Sequence, residues 1–559
     1  MIKGIYRVIE FILGFVIILT LLLVIRLSRG PIEIKNLTPV IVDALVSNEK
    51  GVEVNMENAF IELAFSRGRL MDIRLNELNV IDNEGFVLSV EKANISFNPF
   101  WLLLGRVVVR DIDLYKPYIQ MDFTDTSDKA AVKDVPPARP IGRKLNRARR
   151  YAERLDSVKI TDAEVVLKIR PDASVLLPDL DILILREDEK MDFSAAGKFY
   201  FDGAFIDWNM NALYQLNDKA MAFEVFVDDV DLYKMKSIVP MFENVKLTLD
   251  ASVKGNLNLT QLKENWRNAF NGVTFKAATQ GAGSLYLPKP LDTTYQVQKA
   301  EIMGAIDPKL EQIHLNHSKV QILDKTAEVN AQVSGLGVLF ETGDFSSLPI
   351  SLTAEINDIP MAEVPHLWPA YLGTDAHDWI RQNISGGVIT KATLFLGMKG
   401  ENITGLSSVL DVKGVTVRYV DEMLPATNVS GIVSLDLNSA KIQVLGGQVN
   451  NVQAVGGYVN FLKLDEDVPL FDMDVEFKGR VQDGLKIVAT EPLKVCDMSV
   501  LVPCKSGKGM AKGHVALSFP FVDEDAIADL IKYAVTVDLD DTSFPLPKTD
   551  WTVSEGNFK

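Results

Sequence analysis

Beyond residue 30 this chain keeps a period of two. From Val245 to Leu259, apolar Val245, Leu247, Leu249, Ala251, Val253, Leu257 and Leu259 take alternate positions, broken only by Gly255. Lys246, Thr248, Asp250, Ser252, Lys254, Asn256 and Asn258 fill the positions between. Such alternation is a strand with one dry and one wet face. Shorter runs repeat it: Ile119/Met121/Phe123, Val165/Leu167/Ile169, Met473/Val475/Phe477, Val515/Leu517/Phe519/Phe521 and Val535/Val537/Leu539. Half-wet strands predict antiparallel sheet, because parallel strands covered on both faces read as unbroken apolar runs. Asn83-Glu84-Gly85, Gly446-Gly447 and Gly456-Gly457 read as turns between runs.

Helical patterns are few. Residues 142–156 carry a stripe of Leu145, Ala148, Ala152 and Leu155 after Pro136-Pro137. Residues 375–384 show Thr374 as N-cap, Ala376, Ile380 and Ile384 on one face, and Gly386-Gly387 as a stop. Residues 523–533 place acids first and turn Ile527, Leu530 and Ile531 inward. So few helices cannot cover so many one-faced strands. A sandwich array would show repeated units of about 100 residues, yet the one linker of that kind is 124–141. The better expectation is a mainly β fold: an elongated antiparallel sheet curled into an open hydrophobic groove. At about 4.8 Å per strand, some thirty strands give a trough on the order of 150 Å. An ordinary sandwich core remains the alternative from periodicity alone. The candidate groove residues are Val165, Leu167, Ile169, Val245, Leu247, Leu249, Val253, Leu257, Met473, Val475, Phe477, Val515, Leu517 and Phe519.

The N-terminus differs. From Phe11 to Ile25 no charge occurs, and Phe11, Ile12, Leu13, Phe15, Val16, Ile17, Ile18, Leu19, Leu21, Leu22, Leu23, Val24 and Ile25 supply the apolar bulk. Extended to Val8 and Leu27, the run is long enough for one transmembrane helix. Arg26 and Arg29 stand where a cleavage site would need small residues, which predicts an uncleaved anchor. Charge does not decide its orientation: Lys3 and Arg7 flank one side, and Arg26, Arg29 and Lys35 the other.

Composition narrows the function. The chain of 559 residues is 47% hydrophobic with a formal charge of −17, which excludes wholesale disorder and disfavours general nucleic-acid binding. Two cysteines and five histidines leave little for a metal centre. No G-x-S-x-G elbow or P-loop occurs. The glycine-rich 505–513 has the wrong spacing for a phosphate cradle and reads as a flexible loop. His314 and His317, three apart on a strand, should face opposite sides. At His377-Asp378-Trp379 the expectation is that Trp379 packs while His377 and Asp378 stay on the helix surface. The expectation is therefore no enzyme and no cofactor.

Four segments carry a family resemblance. LSVEKANISFNPFWLLLGRVVVRDIDLYKPYIQMDF (88–123) resembles the opening module of AsmA-like proteins. LDSVKITDAEVVLKI (155–169) is similar to the strand that re-enters after that family's linker helix. HLWPAYLGTDAHDWIRQNISGGVITKATLFLGMKG (366–400) and FPFVDEDAIADLIKYAVTVDLDDTSFPLP (519–547) resemble the YhdP-like branch. The resemblance implies a single-pass protein of the bacterial inner membrane with its bulk in the periplasm. The implied role is carrying phospholipid between inner and outer membranes and so supporting the outer-membrane barrier. An envelope assembly scaffold, TamB-like and handling outer-membrane or periplasmic proteins, is the alternative. YhdP-like members are usually much longer, so either the chain is a fragment or a short bridge needs a partner.

On this reading residues 1–30 are the anchor and 31–123 an AsmA-like β module. Residues 124–157 are a Pro-containing linker and basic amphipathic helix. A β-groove fills 158–362 and 388–559, around a helical insertion at 363–387. The basic helix either caps the groove or touches anionic headgroups, and the insertion is either a lid or a packed decoration. In an oxidising periplasm Cys496 and Cys504 either form a disulfide or remain buried thiols.

Overall fold

The computed structural model describes Gly14, Ile18 and residues 21–34, 52–63, 71–82, 86–97, 109–122, 153, 155–170, 173–201, 203–237, 240–261, 266–338, 348–369, 373–491, 493, 507–522, 530–545 and 552–558. Most of the expected anchor and the basic helix, both cysteines, Phe123, Asn83-Glu84-Gly85 and residues 523–529 lie outside them. Gly14, Ile18 and residues 21–27 are helical, and no described helix is long and apolar enough to cross a membrane.

The described backbone forms 29 strands in one sheet. The chain lays down β1 (Ile32–Glu33), β2 (Val52–Asn55), β3 (Asn58–Leu63), β4 (Met71–Asp82), β5 (Phe86–Phe97) and β6 (Val109–Asp122). After a long crossover come β7 (Ser157–Arg170), β8 (Ala173–Glu187), β9 (Lys190–Phe201), β10 (Ala204–Gln215) and β11 (Ala220–Asp231). Two 3-10 turns, Leu232–Ser237 and Pro240–Asn244, precede β12 (Val245–Lys246), β13 (Thr248–Asn258), β14 (Phe270–Thr279), β15 (Gly283–Leu287), β16 (Thr293–Ile306), β17 (Gln312–Ile322), β18 (Lys325–Ser334) and β19 (Pro349–Pro360). Helices α1 (Val364–Leu367) and α2 (Thr374–Asn383) lead to β20 (Ile384–Ser385), β21 (Val388–Lys399), β22 (Asn402–Val417), β23 (Ala426–Asp436), β24 (Ser439–Val449), β25 (Val452–Leu462) and β26 (Leu470–Arg480). Helix α3 (Val481–Ala489) precedes β27 (Lys508–Pro520), β28 (Lys532–Pro545) and β29 (Thr552–Phe558).

Strands pair with their chain neighbours, and β6–β7 is the one parallel pair among them. Four rungs are each split over two strands: β2 with β3, β12 with β13, β14 with β15, and β20 with β21. Twenty-nine strands thus make 25 rungs, on the order of 115 Å of sheet at about 4.8 Å each. The parallel pair falls where the chain spends residues 123–156 on a crossover, as a parallel step requires. The end of that crossover is pinned: Tyr214 Oη donates to Glu153 Oε1 at 2.5 Å, and Arg110 bonds Asp156 at 2.5 Å. Glu153 lies in a turn and Asp156 in a bend, so the expected helix does not run through 156.

Apart from the shorter turns Trp266–Ala269 after β13 and 336–338 after β18, three helical insertions among the described residues follow β11, β19 and β26. These are six rungs apart, and an even number of antiparallel strands returns each insertion to the same lip of the sheet. The first two share a local sequence. Asp229-Val230 and Asp358-Ile359 close their strands, and Pro240 and Pro369 each follow eleven residues after the aspartate. Both aspartates are left-handed, φ 63° and 57°.

Several expectations need correction. Gly446-Gly447 lies inside β24 and Gly456-Gly457 inside β25. They are not turns: a Cβ on Gly457 would collide with the Asp474 carbonyl of the neighbouring strand. Residues 508–513, expected as a flexible loop, open β27, where a Cβ on Gly513 would meet the Thr536 carbonyl. The glycines there serve close backbone approach, not mobility. Leu530 and Ile531 are exposed and non-helical, and Lys532 already belongs to β28. Helix α2 has Gly373 as its N-cap rather than Thr374, and Ala376 is exposed. His377 is largely buried, its Nε2 3.2 Å from the Pro365 carbonyl, whereas Trp379 is 42% exposed.

Candidate functional site

Cross-strand register turns the alternation into two faces. One row of direct partners runs Ala59, Leu75, Ala93, Leu114, Ile160, Ile182, Ala195, Met210, Val225, Val253, Phe275, Gly304, Leu315, Ala331, Leu352, Leu396, Leu406, from β3 to β22 without a polar member. A second begins on β16, where the first still runs. It follows Ala300, Val320, Ala327, Ile356, Ala392, Leu410, Val433, Ile442, Val459, Met473, Leu517 and Tyr533 to β28. The two rows overlap on β16–β22, so the apolar surface continues from β3 to β28. The opposite face over β16–β28 reads Glu301, Lys319, Glu328, Glu355, Thr393, Val409, Ser434, Lys441, Asn460, Asp472, Ser518 and Lys532, apolar only at Val409.

Alanine reports which face is crowded, since its side chain is the same on both. Ala195 is 8% exposed, and Ala59, Ala93, Ala212, Ala300 and Ala392 on the apolar face are also buried. Ala196, Ala222 and Ala278 on the polar face are exposed. The apolar face is therefore the more enclosed one. Bulges interrupt the ladder at several points. Asp162, Asp229 and His317 take φ of 57°, 63° and 50° inside strands. Each leaves a backbone N–H unpaired by the ladder, and a side chain of the adjacent strand accepts it. The acceptors are Asp181 Oδ1 at 2.9 Å, Asp250 Oδ1 at 3.0 Å and Asn330 Oδ1 at 2.8 Å.

The expected groove residues are distributed along this face. Val165 is buried in a cluster with Ile119, Ala163 and Leu180, and Leu167 packs at its edge. Ile169 is placed in β7 by its backbone. Val253, Met473 and Leu517 are members of the rows. Val245, Leu247, Leu249, Leu257, Val475, Phe477, Val515 and Phe519 are half-buried, as are those three. Among the described residues no apolar sheet side chain after Val415 is fully buried. In that open stretch Phe461, Phe471 and Phe519 form a ladder across β25, β26 and β27, with ring centroids 5.3 and 4.9 Å apart. Phe521 stacks at 6.4 Å from Phe461. Upstream, a cavity of about 860 Å³ lies along the opposite, polar row, where Leu183, Ser194, Asn211, Glu224, Lys254 and His314 line it.

The α1–α2 insertion covers part of the apolar face. Met361, Val364, Leu367 and Ile380 pack with Ile356, Ala392, Leu410 and Val412. Tyr295 of β16 donates its hydroxyl to the Leu367 carbonyl at 3.0 Å, three rungs upstream. Burial pushes the Tyr295 phenol up to about 12, so it remains a donor at neutral pH. Sequence reasoning missed α3, whose Val481 and Leu485 are four apart around Gly484. Its Asp483 side chain is 1% exposed and bonds Arg480 Nε at 2.7 Å. Burial raises the Asp483 pKa, but the Arg480 hydrogen bond and charge, with help from Asn451 and Lys486, outweigh it and hold the carboxyl below its ordinary range.

The expectation for the histidines is also corrected. The bulge at His317 adds a residue between Leu315 and Ser318, which brings His317 to the polar face beside Glu328, 2.5 Å away. His314 is on the same face, in register with Gln332. Among the described residues no group of three or more His, Cys, Asp or Glu is placed to hold a metal.

No curated protein and no solved structure matches the chain. Its residues 311–559 match the family described as YhdP protein.

Proposed function

We propose that this protein moves phospholipid by its acyl chains along the apolar face, between the inner and outer membranes of a bacterial envelope. The carrying observation is the unbroken apolar register from β3 to β28 on the enclosed face of an open sheet. Open apolar surface of this length is costly in water and favourable against hydrocarbon. Half-buried side chains lining it leave room for a chain to slide. An aliphatic lining selects acyl chains and not headgroups. The helical Ile18 and Leu21–Ile25, all exposed, belong to the second half of the membrane anchor in this reading. The bulk of the chain then stands in the periplasm and supports the outer-membrane barrier.

Native mass spectrometry of gently extracted full-length protein tests this reading. Several co-purifying phospholipids per chain are the expected result. A lipid-free groove holding a protein strand would replace transport by the scaffold role.

A further inference from the structure

The three insertions on one lip are not equally fastened. Helix α3 is anchored by buried Val481 and by Asp483, whose carboxylate bonds Arg480 and whose carbonyl accepts from Asn450 Nδ2 at 3.3 Å. No residue of α1 or α2 is fully buried, the His377 side chain being 14% exposed, and like α3 neither helix has a side-chain N-cap. Both rest on the apolar face through half-buried Val364, Leu367 and Ile380. Helix α2 is bounded by left-handed glycines, Gly373 at φ 77° and Gly386 and Gly387 at φ 64° and 72°. Elements held by few buried contacts open at lower free energy than the sheet beneath them, and glycines in this region are where a segment turns.

The covered surface is the critical one. Ile356, Ala392 and Leu410 belong to the second apolar row, on rungs where the two rows run side by side. An acyl chain following the second row from the upstream half to the downstream half crosses the surface that α1–α2 occupies, beside Leu352, Leu396 and Leu406 of the first row. We propose that α1–α2 is a displaceable strap that competes with acyl chains for this surface and divides the groove into two compartments that join when lipid lifts it. This inference rests on the lipid-transfer reading. The Tyr295 hydroxyl is the clasp, since it ties α1 to a strand three rungs away from the insertion's own root.

Hydrogen–deuterium exchange on the full chain tests the strap. The lipid probe is a phosphatidylethanolamine–phosphatidylglycerol mixture in mild-detergent micelles, with bound copies counted by native mass spectrometry. With lipid bound, amides in 364–383 are expected to exchange at least fivefold faster while those in 481–489 stay unchanged. Bound lipid with unchanged or slower exchange in 364–383 overturns the strap and leaves the transfer reading standing. No bound lipid at any ratio overturns the transfer reading and the strap with it. Tyr295→Phe keeps the ring and removes the clasp, so it is expected to speed exchange in 364–383 without lipid and to raise vesicle-to-vesicle transfer at least twofold. Tyr458→Phe, on the polar face, is the control. A Tyr295→Phe protein that matches the control in both measurements rejects the clasp and with it the gated compartments.

Discussion

Val433 and Ser434 are chain neighbours on opposite faces, and one substitution at each separates a lipid-lined groove from a closed core. Val433 is half-buried between Leu410 and Ile442 in the second apolar row; Ser434 is exposed between Val409 and Lys441. Fully burying a valine stabilises by about 1.5 kcal/mol, so the half-buried side chain contributes about 0.8 kcal/mol. A carboxylate at Val433 keeps access to water, and Val433→Asp should cost the fold on the order of 1–2 kcal/mol. An acyl chain lying along the row must strip or neutralise that carboxylate, at about 2–3 kcal/mol. At 1.4 kcal/mol per decade this is roughly a 30- to 100-fold loss in lipid engagement. The assay is transfer of a fluorescent phospholipid between donor and acceptor vesicles, with thermal melts run in parallel. Val433→Asp should lose at least tenfold in transfer with a melt shifted by a few degrees, and Ser434→Asp should stay within twofold. Equal transfer by both variants would refute the face assignment. Outright unfolding of Val433→Asp would mean that the face is a dry core.

Three further outcomes follow from local geometry. Gly457→Ala should cost about 2–4 kcal/mol in denaturant unfolding, since its φ of 122° and the Asp474 carbonyl both oppose a Cβ; Gly456→Ala next to it, which meets nothing within 4 Å, should change stability by under about 0.5 kcal/mol. Asp250→Ala removes the acceptor for the Asp229 N–H and for Gln280 Nε2 at 2.6 Å, and should cost about 1–3 kcal/mol, most of it recovered by Asp250→Asn, with faster amide exchange at Asp229 as the local readout. Asp483 has a folded pKa below its unfolded 3.8, so its contribution is present above that value and lost as the pH falls through the folded pKa; Asp483→Asn should flatten the melting-temperature profile below about pH 4.

Much of this architecture was legible because alternation is a direct projection of a one-faced sheet. Val245–Leu259 and Met473/Val475/Phe477 read as strands and are strands. The losses all come from places where backbone geometry departs from period two. The left-handed bulge at His317 inserts one residue and moves His317 to the face of His314, which no count of i and i+3 can anticipate. Gly457 and Gly513 resemble punctuation in a sequence, yet they sit within strands because an adjacent carbonyl occupies the space of a Cβ. His377 is largely buried and Trp379 exposed because α2 lies across the sheet, and residue polarity alone suggests the reverse. Helix α3 was hidden by Gly484 in its middle and by a length of only nine residues. The six-rung recurrence of insertions was present in the sequence as Asp229…Pro240 and Asp358…Pro369, but a two-position match is too faint to find without the register.

Each rung of the sheet is bonded to the one before it and the one after, so stability and passage are summed differently along the chain. Stability is a sum of local terms, and a weakened rung frays its neighbours while distant rungs hold. Passage along an uninterrupted row behaves like a circuit in series, in which one blocked rung stops the whole current. A protein of this form should therefore tolerate many substitutions that lower its melting temperature, yet fail in function from a single charge placed anywhere along the apolar rows from β3 to β28. Variants selected for loss of function should scatter along the entire apolar face rather than cluster at one centre.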